Sequence, residues 1–141
     1  MKALLVSLVM LLLIAATHHA AAQDNSECLV AIYNVSTGKH LEFLKWMAEG
    51  EAIDKEAGAP AAQWYVHHNG AGWDYISITP QLSPAQQEAM DKKVDELRKK
   101  KGMPTGMAAS LKFRQFISTH SDTYAGGPYT AADIVKMAEA K

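Results

Sequence analysis

Four residues, Asn69-Gly70-Ala71-Gly72, stand between two short segments rich in aromatic and β-branched side chains, Gln63 to His68 and Trp73 to Thr79. Asn and Gly accept the positive φ of a tight turn, so residues 63–79 read as an antiparallel hairpin. Nothing else in the chain restricts the fold as much, because a hairpin commits it to a sheet and couples two strands by parity. With an even loop, Trp64, Val66 and His68 share one face with Trp73, Tyr75 and Ser77. Tyr65 and His67 then share the other face with Asp74 and Ile76.

The segments around the hairpin supply its neighbours. Cys28 to Val35 is an almost unbroken apolar run and reads as a buried strand. Lys39 to Ala57 reads as a helix in which Leu41, Leu44, Ala48 and Ala52 recur at spacings of three and four. Phe43, Trp46, Met47 and Ile53 widen that stripe, and Gly58 and Pro60 mark its stop. Ser83-Pro84-Ala85-Gln86 opens a second helix with Ser as N-cap, Pro at the first helical position and Gln three residues after the cap. Met90, Val94 and Leu97 form the apolar seam of that helix, and Gly102 ends it.

Strand and helix both fit residues 105–119. Ala109, Phe113, Phe116 and Ile117 lie on one helical face, so the expectation is a third helix from about Thr105 with His120 at its end. Asp122 to Ala125 reads as a short edge strand and Gly126-Gly127-Pro128 as a turn. Thr130-Ala131-Ala132-Asp133 reads as a capping box that opens a terminal helix running to about Ala140. The order β-α-β-β-α-α-β-α contains the split β-α-β of ferredoxin-like folds, which predicts an α+β domain with an antiparallel sheet and helices on one face. The opposite face needs a cover, and a second copy of the chain is the simplest one.

The N-terminus predicts export. Lys2, the uncharged apolar run Leu4 to Ala16 and the small residues Ala20-Ala21-Ala22 have the layout of a cleavable signal peptide, residues 1–22, cut before Gln23. The run is shorter than the roughly 20 apolar residues that span a bilayer. Residues 23–141 are then expected as a single secreted or periplasmic domain with no membrane attachment. Net charge is −1 over the whole chain, which offers nothing to nucleic acid or to an anionic membrane surface. Lys99-Lys100-Lys101 closes a predicted helix, where cations suit the macrodipole. Cys28 is the single cysteine. It reads as a small buried hydrophobe at a strand start, with pairing to another chain or a nucleophilic role as alternatives.

The histidines beyond the leader are His40, His67, His68 and His120. His67 and His68 are adjacent on a strand and point to opposite faces, and no H-x-x-x-H or H-E-x-x-H spacing occurs, so no protein-built metal site is expected. Trp64, His68, Trp73 and Tyr75 form an aromatic face with polar tips, the composition of a small-molecule pocket and equally of a dimer-interface core. His67 beside Asp74 reads as an oriented base or as an exposed cross-strand pair, with His68 the other candidate base.

The stretches VAIYNVSTGKHLEFLKWM, WYVHHNGAGWDYISI and STHSDTYAGGPYTAADIV resemble small bacterial proteins of the dimeric α+β barrel superfamily, the antibiotic-biosynthesis monooxygenase-like and NIPSNAP-like domains. The resemblance covers nearly all of residues 23–141. It implies a ferredoxin-like protomer in a superfamily that includes cofactor-free oxygenases, haem enzymes and proteins without an assigned activity. It carries over no catalytic residue, and it makes His120 a candidate axial ligand if haem is bound. The expectation for function is an exported homodimer without a cofactor that binds a small aromatic or apolar ligand or serves a structural role. The alternative is a small cofactor-free or haem-dependent monooxygenase or isomerase.

Overall fold

The structure is a computed structural model and describes residues 27–70 and 72–140. The expected signal peptide lies outside the described residues, as does Ala71 of the hairpin turn. The described elements are β1 (Glu27–Val35), α1 (His40–Ala57), β2 (Gln63–Val66), β3 (Tyr75–Pro80), α2 (Pro84–Lys100), α3 (Gly106–Arg114), β4 (Ile117–Gly126) and α4 (Ala131–Glu139). Their order is the expected one. The strands form one antiparallel sheet in the order β2-β3-β1-β4, the ferredoxin-like arrangement.

The hairpin obeys the expected parity. Trp64 pairs with Ser77 and Val66 with Tyr75, and His67 N–H continues the ladder by donating to the Asp74 carbonyl at 3.1 Å. Trp64, Val66, Tyr75 and Ser77 therefore share a face. Ala31, Tyr33 and Val35 of β1 join it, since Ala31 opposes Ser77 and Tyr33 opposes Tyr75. This face carries the core, and α1 covers it by inserting Phe43, which is wholly buried, among Tyr33, Tyr75 and Trp64.

The core side of α1 is the part of the expected stripe carried by Phe43, Trp46, Met47 and Ile53, not the part carried by Leu41 and Leu44. Its buried residues are Phe43, Gly50, Ile53 and Ala57, with Trp46 and Met47 packed alongside, while Leu41 and Leu44 are exposed. Two apolar stripes run on opposite sides of this helix, and spacing alone does not choose between them. Ring volume does: Phe43 and Trp46 fill the space above the sheet, and Gly50 lets Arg98 of α2 come close. Helix α2 lies against α1, where Lys93 Nζ donates to the Ala57 carbonyl at 2.5 Å and Lys101 pairs with Glu56 at 2.5 Å. The C-cap Gly58 has φ +89°, the left-handed conformation that ends α1.

The larger correction is at 105–126. The expected third helix to about residue 119 stops at Arg114, and Ile117–Gly126 is strand, not a short edge segment at 122–125. Phe116 is buried against Trp46 and turns the chain, and Ser36 N–H donates to its carbonyl at 2.8 Å. From there β4 pairs with β1 along its whole length. Local periodicity favoured a helix, but the free edge of β1 supplies a long row of backbone partners, and an unpaired row of buried N–H and C=O groups is costly. No helix among the described residues is long and apolar enough to cross a membrane.

Candidate functional site

Tyr33 occupies the central strand, so it has a cross-strand neighbour on each side: Tyr75 on β3 and His120 on β4. Its ring stacks with that of His120 at 5.2 Å and 24° and with that of Trp64 at 5.5 Å and 19°. Phe43 of α1 meets Tyr33 from the helix layer, and Phe113 of α3 meets it edge-on. The helix-facing side of the sheet thus carries a row of rings, Trp64, Tyr33 and His120, spread over β2, β1 and β4.

Polar atoms surround this row. Tyr33 Oη and Ser77 Oγ are hydrogen-bonded at 3.3 Å in the buried layer. The Trp64 indole N–H donates to Glu51 of α1. His120 Nε2 and Asp122 Oδ1 are 2.9 Å apart. A carboxylate only accepts, so Nε2 carries a proton and Nδ1 becomes the lone-pair acceptor of the neutral ring. Alternation on β4 brings the pair together, since residues two apart share a face. The His120 side chain is 28 % exposed, which leaves it reachable from solvent.

The local field is negative. Burial pushes the Tyr33 phenol above its ordinary pKa, the Ser77 hydrogen bond opposes this, and the charges of Asp122 and Glu51 add to the rise. Burial also raises the Asp54 carboxyl, with Arg98 opposing and Glu51 reinforcing. Glu51 and Asp54 line a depression of about 350 Å³ with Lys55 and Thr79, so Glu51 connects an open cleft to the indole of Trp64. Tyr33 is itself buried core and Trp64 is packed against it, so the part of the row open to solvent is the His120–Asp122 pair, whose second ring nitrogen can accept a hydrogen bond.

The expected four-residue pocket does not assemble as one surface. Trp64 and Tyr75 share the helix-facing side, but Tyr75 is core: it stacks on Phe43 at 5.6 Å, and its Oη lies 3.2 Å from His40 Nδ1. Burial and the charge of Asp74 raise its phenol pKa. His68 is exposed beyond the end of β2, and Trp73 packs against His67 at 5.5 Å. The Asp74 carboxylate accepts from the Val35 backbone N–H at 2.7 Å, so it caps the end of β1. Cys28 is half-buried at the start of β1, and its thiol donates to the Ala125 carbonyl at 3.3 Å.

Tyr33, Glu51 and Asp122 escaped the sequence reading. The one signal for the Asp122 partnership was the spacing His120-x-Asp122, which becomes meaningful only when that segment is a strand. His120 itself is on β4, not at a helix end. Its Nε2 is engaged by Asp122, and its ring lies flat on Tyr33 and edge-on to Phe113. Among the described residues no group of three or more His, Cys, Asp or Glu side chains is placed to hold a metal ion.

Solved structures share this arrangement. A NIPSNAP domain protein from Burkholderia xenovorans superposes with a TM-score of 0.51 at 14 % identity, over 74 % of this chain and 96 % of that one. The chain has a ferredoxin-like fold. A NIPSNAP family protein from Agrobacterium tumefaciens strain C58 gives 0.50 at 17 % identity, over 74 % and 88 % of the two chains. SnoaB, a cofactor-independent oxygenase from Streptomyces nogalater solved as a mutant, gives 0.50 at 12 % identity, over 76 % and 97 %. Neither a protein-family model nor a curated protein sequence matches the chain. At these identities the likeness establishes the fold, and one fold serves many chemistries.

Proposed function

We propose that the protein is an exported homodimer that binds a small aromatic molecule on the helix-facing side of each sheet, with His120 Nδ1 accepting a hydrogen bond from the ligand. The observation that carries this reading is the His120–Asp122 pair set against the Tyr33–Trp64 ring stack. The carboxylate fixes the tautomer, and the buried Tyr33 ring supports the imidazole from beneath. The reverse face of the sheet supports the homodimer. Val30, Ile32, Ile76 and Ile78 point there, and no described element forms a layer over them. Apolar sheet faces of soluble proteins are covered, and a second copy of the chain is the simplest cover.

Isothermal titration with 2-naphthol tests the ligand site. The intact protein gives saturable binding of one molecule per protomer. His120→Ala weakens it by about tenfold or more, the loss of one charge-supported hydrogen bond. No saturable heat in the intact protein, or equal affinity in the variant, overturns the reading.

The same pair favours a second reading, a cofactor-free enzyme that begins by removing a proton from its substrate. An imidazole held by a carboxylate is built for that step. Deuterium exchange at the carbon beside the hydroxyl of 2-naphthol, followed by NMR, tests it. Acceleration by the intact protein and its loss in His120→Ala support the enzyme, and exchange at the rate of buffer alone rejects it for this substrate class.

A further inference from the structure

Helix α4 stands apart from the rest of the described fold. None of its residues is buried, and it forms no packing layer with another element. Yet its sequence is amphipathic. Ala131, Ile134, Val135 and Ala138 line one side at spacings of three and four with Met137 at the flank, and Asp133 and Lys136 lie opposite. Ile134, Val135 and Met137 are each more than half exposed. The N-terminus is closed by a reciprocal cap, with Asp133 N–H donating to Thr130 Oγ1 and Thr130 N–H donating to the Asp133 carboxylate. At 9 residues, α4 falls below the roughly 12–15 residues that sustain a helix in water unaided. Such a helix needs a surface on which to lay its apolar side.

The uncovered sheet face offers one. A depression of about 440 Å³ runs across all four strands there, lined by Cys28 and Val30 of β1, Tyr65 of β2, Ile78 and Pro80 of β3 and Ala125 of β4. Neighbouring strands lie about 4.8 Å apart, so four strands span about 14 Å. A helix of nine residues at 1.5 Å each is also about 14 Å long. Gly127 and Pro128, which lead into α4, belong to the rim of the same depression, so α4 leaves its own protomer beside the face that lacks a cover.

We propose that α4 of one protomer lies in the sheet-face depression of a second copy, and that the second copy returns the contact. The proposal rests on the homodimer reading given above and adds the element that clasps it. A two-fold axis makes both contacts at once, so each otherwise uncovered surface is matched within one closed assembly. The polar side of α4 argues against a membrane as the occupant. It carries Asp133 and Glu139 against a single Lys136, whereas helices that lie on membranes display basic residues there.

The native Cys28 makes a direct test possible, because it lines the depression. Val135→Cys places a second thiol on the apolar side of α4. Under mild oxidation the exported chain gives a covalent dimer on a non-reducing gel, and the same variant carrying Cys28→Ser does not. In sedimentation equilibrium, Ile134→Asp with Val135→Asp weakens the dimer by about a hundredfold while the far-ultraviolet circular dichroism of the sheet persists. A dimer that neither cross-links through Cys28 nor weakens with the two aspartates overturns the α4 clasp and leaves the homodimer standing. A fast-migrating cross-linked monomer also overturns the clasp, since it places α4 on its own sheet. An intact chain that is monomeric at micromolar concentration overturns both.

Discussion

His120 and Tyr33 are cross-strand partners on β4 and β1, and their rings stack 5.2 Å apart at 24° on the helix-facing side of the sheet. That contact joins the buried aromatic layer of the protein to an imidazole that solvent reaches. It also places the Asp122 carboxylate, which holds His120, close enough to act on the Tyr33 phenol.

The consequence is measurable on Tyr33. A negative neighbour disfavours the phenolate, so removing that charge lowers the pKa. In Asp122→Asn, Tyr33 ionises at a lower pH than in the intact protein and still above an ordinary tyrosine, because burial, the largest cause of the rise, is unchanged. Ultraviolet difference titration of tyrosinate, with Tyr33→Phe as the reference for the other tyrosines, reads this directly. An unmoved or rising transition contradicts the geometry. Since the His120–Asp122 pair is substantially exposed, the substitution changes stability by no more than about 1 kcal/mol.

Phe43 is the keystone of the layer. It is wholly buried and touches the rings of Tyr33, Trp64, Tyr75 and Phe113. Phe43→Ala removes those contacts and opens a cavity, so urea unfolding should show a loss of about 3–5 kcal/mol. Leu41→Ala, on the opposite and exposed side of α1, should cost under about 1 kcal/mol. Equal losses at the two positions would mean that the helix faces the sheet with its other stripe.

Asp54 gives a pH signature of definite sign. Its folded pKa is raised, mainly by burial. Between its ordinary and raised pKa values the native state therefore holds more protons than the unfolded state, and this carboxyl's contribution makes stability fall as pH rises through that window. Asp54→Asn removes the penalty. Its melting temperature should equal or exceed that of the intact protein at neutral pH, and the difference should shrink as pH falls below the usual carboxylate range. A variant that is less stable at neutral pH by a margin that vanishes in acid would show instead that the Arg98 attraction outweighs burial.

Export is tested at the N-terminus. Sequencing the protein recovered from outside the cytoplasm should find a start at or within a few residues of Gln23, as the Ala20-Ala21-Ala22 site requires. Recovery of a chain that begins at Met1 contradicts it.

Local chemistry wrote most of the architecture into the sequence. The Asn-Gly turn, the Ser83-Pro84 cap and the Thr130–Asp133 capping box act over a few residues, so the hairpin, α2 and α4 appear where their signals stand. Hairpin parity is equally local, and it placed Trp64 on the same face as Tyr75 before any packing was known. Distance decided the remainder. Helical spacing along α1 allowed two stripes, and the one that faces the sheet was selected by the rings of Phe43 and Trp46 fitting over Tyr33 and Phe116. Strand and helix both fit residues 105–119, and the chain from Ile117 onward became strand because the edge of β1, some 85 to 97 residues earlier in the chain, offered hydrogen-bond partners that no local helix could match. The candidate site exists only after that choice. His120 and Asp122 meet on one face because β4 is extended, and they meet Tyr33 because β4 lies beside β1, a contact between segments too far apart in sequence for spacing to announce.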